Sequence, residues 1–258
     1  MATILITGAT SGIGLELAKI HAQNGDRLIL VARSTDVLAT LQADFKTQFG
    51  TEVLPLRFDL SDRAAPSALY DAVKSAGWQV DALVNNAGFG DHGYFWDADP
   101  QKIHQMMDLN MTSLVQLTRL FLTDMLARKS GKIMNVASTA AFQPGPTMAV
   151  YYATKAFVLS FSEALSEELQ GSGVTVTTLC PGPTPSGFQD RSGMHKSRIL
   201  QFVPLTSSAR VAREGYHAMM RGKTVAIVGW INAAVVFSTR FAPRAAVRKI
   251  SSFLTGAH

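Results

Sequence analysis

Two tyrosines, Tyr151 and Tyr152, stand side by side in the stretch YYATK, which Lys155 closes. A free phenol has a pKa of about 10 and is a poor base near neutrality. Bringing it to about 7 takes roughly 4 kcal/mol of preference for the phenolate. An ammonium about 4 Å away supplies that order of energy at an effective dielectric near 20. The stretch therefore has the composition of a proton donor or acceptor. On a helix, residues four apart share a face, which pairs Tyr151 with Lys155. Tyr152, three before Lys155, is also near it but rotated around the helix.

A second stretch suits an anion. TGATSGIG, residues 7–14, follows the apolar run TILIT and precedes a helical pattern. Gly8, Gly12 and Gly14 are spaced for a sharp turn, a close backbone approach and tight helix packing. The helix N-terminus behind Thr10, Ser11 and Ile13 then points amide donors at a pyrophosphate. The spacing is G-x-x-x-G-x-G, which differs from the commoner G-x-G-x-x-G, and its position between strand and helix is what gives it meaning. The next apolar run ends in VARS. Folds that prefer NAD place an acidic residue there, whereas here Ala32 is followed by Arg33, a cation suited to the 2′-phosphate of NADP. The plain alternative for Arg33 is a solvated surface arginine. Asp59 and Leu60, in FDLSD, can flank an adenine, with Asp59 accepting from its amino group; DLSD also reads as a helix start.

These residues need a frame to hold them. Apolar runs at 3–7, 27–32, 52–58, 82–86, 132–138, 174–179 and 224–228 alternate with helical patterns near 12–24, 34–49, 62–76, 100–128, 150–170 and 207–221. Strand and helix repeated in this way predict a parallel sheet covered on both faces. The expected fold is α/β: one Rossmann-like, doubly wound domain over 1–230 with about seven parallel strands, and a C-terminal helical extension over 231–258. The 47% hydrophobic content and 258 residues support one large core. The lone Cys180 ends an apolar run, reads as a buried small hydrophobe, and excludes an internal disulfide. The histidines show no metal-ligand spacing, so no metal is assigned. The net charge of +5 is spread out until the C-terminus, with no basic stripe interleaved with aromatics, which argues against nucleic acid. The opening MATILITG has no basic n-region, so the chain is expected to be cytoplasmic.

Taken in order, TGATSGIG, NNAG at 85–88, Asn110 in DLNMTS, Ser138 in NVAST, YYATK and PGPTPS at 181–186 resemble the short-chain dehydrogenase/reductase family. The resemblance covers roughly residues 3–230. It implies that Tyr151, in the Tyr-x-x-x-Lys frame, is the general acid or base, leaving Tyr152 to packing or substrate contact. It implies that Ser138 hydrogen-bonds the substrate oxygen, that Lys155 also holds the nicotinamide ribose, and that Asn110 orders a water leading from Lys155 to solvent. It further implies that Asn86, Ala87 and Gly88 pack near the cofactor and that Pro181 and Gly182 pass the nicotinamide. Either Thr184 or Ser186 then binds the carboxamide or pyrophosphate. The expected cofactor is NADP(H), and the implied reaction is carbonyl reduction or its reverse. The competing class is a non-catalytic NADP-binding regulator or scaffold.

The resemblance implies that residues 186–205 form a flap over the substrate; Phe89, Tyr94, Phe95, Trp96, Phe142 and Phe188 can line an apolar pocket for a lipophilic ketone or aldehyde, or serve as ordinary packing. The family's habit of pairing through the helices near 100–128 and 150–170 implies a homodimer or homotetramer; these helices carry Leu114, Leu117, Leu120, Phe121, Phe157, Phe161 and Leu165, part of which must face the sheet. In the tail, residues 224–239 carry no charge but are too few to cross a membrane, which needs about 20 apolar residues. Beyond them, Arg244, Arg248 and Lys249 fall near one helical face and Val247, Ile250 and Leu254 on another. Such a helix can lie on an anionic membrane or fold back on protein. Packing on protein is the preferred reading, because most amphipathic helices face a core.

Overall fold

The computed structural model describes residues 1–185 and 205–256 of the chain. Strand β1 (Thr3–Thr7) leads into α1 (Gly12–Gln23), β2 (Arg27–Ala32) into α2 (Thr35–Phe49), and β3 (Val53–Arg57) into α3 (Ala65–Ser75). After β4 (Ala82–Asn85) come α4 (Pro100–Met107), a π-helical turn (Asp108–Thr112) and α5 (Ser113–Ala127). Then follow β5 (Gly131–Val136), a 3₁₀ turn (Thr139–Phe142), α6 (Ala149–Glu168) and β6 (Val174–Cys180). The chain continues through α7 (Ser208–Met220), β7 (Val225–Ile227), α8 (Trp230–Ser238) and α9 (Arg244–Thr255).

All the strands pair in parallel, in the order β3-β2-β1-β4-β5-β6-β7. Side chains alternate across the sheet. Ile4 and Ile6 join α1, α2 and α7 in one apolar cluster, and Leu5 joins α3, α5 and α6 in the other. Both faces are thereby buried, which is why β1 and β2 read as unbroken apolar runs. The order reverses between β1 and β4, opening a crevice at the strands' carboxyl ends. That is where TGATSGIG and NNAG stand.

Two differences from the sequence expectation matter for the site. The helix expected over 100–128 is interrupted by the π turn that carries Asn110. Strand β5 ends at Val136, so Ser138 lies beyond it as the N-cap of the 3₁₀ turn, accepting a hydrogen bond from the Ala140 amide at 3.1 Å.

Candidate active site

The phosphate turn is built by close approach. Gly8 and Gly12 have φ of 65° and 57°, a region that L side chains rarely adopt. A Cβ on Gly14 would collide with the Gly8 carbonyl oxygen and stand 2.5 Å from Asn86 Nδ2. Asn86 clasps the turn, donating from Nδ2 to the carbonyl oxygens of Thr7 (2.9 Å) and Gly8 (3.1 Å). The Thr7 hydroxyl accepts from the amides of Asn86 and Ala87, each at 3.0 Å. Thus β1 and β4 are stitched together at the switch point. Ser11 caps α1 in extended conformation with no side-chain hydrogen bond to the helix amides. The first amides of a helix lack intrahelical partners, so this end is suited to an anion.

From this turn a cleft of about 780 Å³ runs across the carboxyl edge of the sheet. Gly8, Thr10, Ser11, Gly12 and Ile13 line one part of it, and Arg33, Asp59 and Leu60 another. Asn86, Ala87, Gly88, Ser138, Tyr151, Lys155, Pro181, Gly182 and Thr184 complete the wall. Gly14 and Asn110 lie behind the lining, and Ser186 is outside the described residues.

At the β2 end, the Arg33 side chain is 66% exposed and its Nη1 lies 3.9 Å from Asp59 Oδ2. Asp59 Oδ1 accepts from the Ser61 amide at 3.0 Å and hydroxyl at 2.7 Å. Partial burial works against the Asp59 charge, but these bonds and the nearby Arg33 and Arg57 hold its carboxyl below the ordinary range. Ala32 puts no carboxylate at the end of β2, so the acid of this corner is Asp59, 3.9 Å from Arg33.

At the other end, Tyr151 and Tyr152 lie on the first turn of α6 and both are buried. Their rings meet edge-on, with centroids 6.0 Å apart. Ser138 hydrogen-bonds Tyr151. Lys155 Nζ lies 5.9 Å from the Tyr151 ring centre and donates to the Val136 carbonyl oxygen at 2.8 Å. Burial pushes the Lys155 ammonium down to about 8, with the neighbouring Cys180 pulling the other way. Burial also pushes the Tyr151 phenol upward, only partly offset by Ser138, and takes Tyr152 to about 12. Burial is the largest influence on the phenol, and the Lys155 ammonium is turned toward the Val136 carbonyl oxygen. Within the protein, Tyr151 is a protonated phenol, the state a proton donor needs.

Asn110 stands behind this group. Its Nδ2 donates to the Phe89 carbonyl oxygen (2.9 Å) and Thr154 Oγ1 (3.1 Å), and its Oδ1 accepts from the Phe89 amide (3.1 Å). Both amide hydrogens are thus committed, and its side chain serves as a strut between the β4 loop and α6. A Cβ on Gly88 would stand 3.0 Å from Asn110 Oδ1 and 3.5 Å from Lys155 Nζ, so the NNAG glycine lets these side chains close in. The Thr184 hydroxyl donates to the Gly182 carbonyl oxygen at 2.9 Å.

The apolar pocket takes a different form from the expected one. Phe89 lines the cleft, but Phe95 and Trp96 are exposed, and Tyr94 stacks on Trp96 with centroids 4.5 Å apart. Phe142 lies instead in a small pocket against Arg244 and Val247 of α9. Phe188 and residues 186–204 of the expected flap are outside the described residues. The cleft wall is completed by Gln101, Lys102, Gln105, Gln143 and Met148, which the sequence reading missed. Their signal was available: Gln101 and Gln105 share a helical face with Leu109, which also lines the cleft.

Comparison with known proteins agrees with this architecture. The family model described as short chain dehydrogenase matches residues 2–196. A Haemophilus influenzae protein named "Probable NADP-dependent dehydrogenase" is 40% identical over 184 residues, spanning 70% of each chain. A short-chain dehydrogenase from Sphingobium yanoikuyae, solved in complex with NADPH, superposes with a TM-score of 0.84 at 29% identity, covering 95% of this chain and 94% of that one. A short-chain dehydrogenase/reductase from Burkholderia phymatum, solved with NAD, gives 0.83 at 28% identity, covering 92% of each chain.

Proposed function

The chain belongs to the short-chain dehydrogenase family, and on that footing we propose that it is an NADP(H)-dependent reductase of a small ketone or aldehyde. The observation that carries this reading is the meeting of Ser138, Tyr151 and Lys155 in the wall of the cleft that also holds the phosphate turn. The glycine turn, the amide end of α1 and Arg33 are chemically suited to the pyrophosphate and 2′-phosphate. When bound, NADPH supplies the hydride that reduces the carbonyl carbon.

The protein's own part is the proton. Tyr151, held protonated by burial, gives its proton to the carbonyl oxygen as general acid. Ser138, already hydrogen-bonded to Tyr151, donates to the same oxygen and stabilises its developing charge. Lys155, mostly an ammonium at pH 7, stands 5.9 Å from the Tyr151 ring centre, where a positive charge would ease loss of the phenol proton. Asn110 is a positioning residue, fixing Phe89 and Thr154 around the group. Phe89, Met148 and Tyr152 offer apolar contact and Gln101, Gln105 and Gln143 amide groups, which suits a carbonyl compound with an apolar body and polar substituents. The test is a panel of ketones and aldehydes with NADPH, followed by loss of reduced-nicotinamide absorbance and identification of the alcohol. NADPH binding without turnover of any member would favour the regulator or scaffold reading.

A further inference from the structure

The positive charge of the chain has a single source. Residues 215–258 contain six Lys and Arg and no Asp or Glu, whereas residues 1–214 contain 18 Lys and Arg against 19 Asp and Glu. The six, Arg221, Lys223, Arg240, Arg244, Arg248 and Lys249, are all exposed. Among the described residues, no ion pair joins any of them to a carboxylate.

The same segment presents large apolar side chains to solvent. Trp230 is 78% exposed and Phe237, two turns along α8, 58%. Phe241, edge-on to Phe237 at 5.2 Å between centroids, is 75% exposed, and Ile250 on α9 is 60% exposed. Helix α9 does contact protein, but the residues it buries are Ser251 and Thr255 and not Ile250 of the expected apolar face; the His92 ring donates to the Thr255 carbonyl oxygen at 3.0 Å. That contact uses one face of α9 and leaves Ile250, Arg248 and Lys249 outside. Thr239 after α8 and Arg244 and Val247 of α9 line one small pocket.

We propose that Trp230, Phe237, Phe241 and Ile250, with Arg240, Arg248 and Lys249 among them, form a docking face for an anionic lipid bilayer. Exposed aromatic and aliphatic side chains interleaved with cations are the composition of an interfacial segment, which buries its apolar groups at the headgroup boundary. Charge complementarity selects the occupant. A second copy seated on this face by a twofold axis would bring cations against cations, with no carboxylate in the segment to neutralise them. A leaflet rich in anionic lipid neutralises them all. Among the described residues no helix is long and apolar enough to cross a membrane, so the contact is peripheral. The helices carrying the face are anchored on the cleft wall. A Cβ on Gly182 would stand 2.5 Å from Asn232 Nδ2 of α8, and α9 ends against Thr147, next to the cleft residue Met148. Docking therefore sets the cleft close to the bilayer.

The test is co-sedimentation of the full chain with phosphatidylglycerol/phosphatidylcholine vesicles and with pure phosphatidylcholine vesicles. Binding should require phosphatidylglycerol and fall on adding salt. Replacing Arg240, Arg248 and Lys249 together by Gln should lower the partition coefficient by about 100-fold, as expected for loss of three cations near an anionic surface. Phe237→Ser with Phe241→Ser should lower it as well. These positions are exposed, so thermal midpoint and NADPH affinity in lipid-free buffer should be unchanged. Absence of vesicle binding, or equal binding to neutral vesicles, overturns the proposal. So does a fall in molar mass by light scattering in the Phe237→Ser/Phe241→Ser variant, which would make this face an interface between copies.

Discussion

Lys155→Met should make the protein more stable while removing most of its activity. The ammonium is buried, and its drop from the ordinary 10.5 to about 8 corresponds to about 3 kcal/mol of burial penalty carried by the folded state at neutral pH. Methionine fills a similar volume without charge. It also removes the donor to the Val136 carbonyl oxygen, at a cost of about 1 kcal/mol. The balance is a gain of roughly 2 kcal/mol, or about 4–8 °C in Tm for a chain of this size. The sign of the pH dependence is fixed by linkage. The folded value lies below the unfolded one, so the unfolded chain holds more protons between about pH 8 and 10.5. The penalty is complete below pH 8, and wild-type stability recovers as pH rises through that window. Urea denaturation of both proteins at pH 7 and pH 9.5 should show the advantage of Lys155→Met shrinking at the higher pH. A variant less stable than wild type at pH 7, or a difference that does not change with pH, would refute the reasoning.

Tyr151→Phe should leave NADPH binding nearly intact and cut turnover by about 10²–10⁴-fold, whereas Tyr152→Phe should be mild; steady-state kinetics of both decides, and a dead Tyr152→Phe would reverse the assignment. Ala32→Asp with Arg33→Ala should turn preference from NADPH to NADH, because a carboxylate repels the 2′-phosphate; the ratio of the two dissociation constants measures it, and tighter NADH binding by the parent chain would contradict the premise. Gly14→Ala should cost about 1–3 kcal/mol in urea denaturation and weaken NADPH binding, since its methyl group would meet the Gly8 carbonyl and Asn86; wild-type stability would show that the turn can yield. Phe157, exposed on α6 and stacked on Phe161 at 6.0 Å, is the expected contact between copies, so Phe157→Ser should lower the molar mass seen by light scattering, and a wild-type monomer at all concentrations would remove that expectation.

The strands were legible because local composition decides them. A strand buried on both faces must be apolar throughout, so the runs at 3–7, 27–32 and 174–179 announced themselves. The glycines of 7–14 were legible for a similar reason, since a positive φ at Gly8 and Gly12 and a vanishing clearance at Gly14 leave few other residues able to stand there. Even the lack of acid beyond Glu214 is a property of the chain alone. Tertiary structure decided what depends on distance through space. Spacing paired Tyr151 with Lys155 on one helical face, with Tyr152 near but rotated, but only the packing of β5 against α6 carries Ser138 to Tyr151 and turns Lys155 toward Val136. Only that packing dries the site, and burial raises the phenol. Sequence showed Leu114, Leu117, Phe121 and Leu165 as apolar residues of two helices, part of which must face the sheet, but could not say which part; these four are buried in the chain's own core. An amphipathic pattern records that a helix has an apolar side and not which neighbour covers it. For the same reason α9 could be read from its periodicity, while the outward faces of Trp230, Phe237 and Ile250 became visible only once the rest of the chain had taken its place.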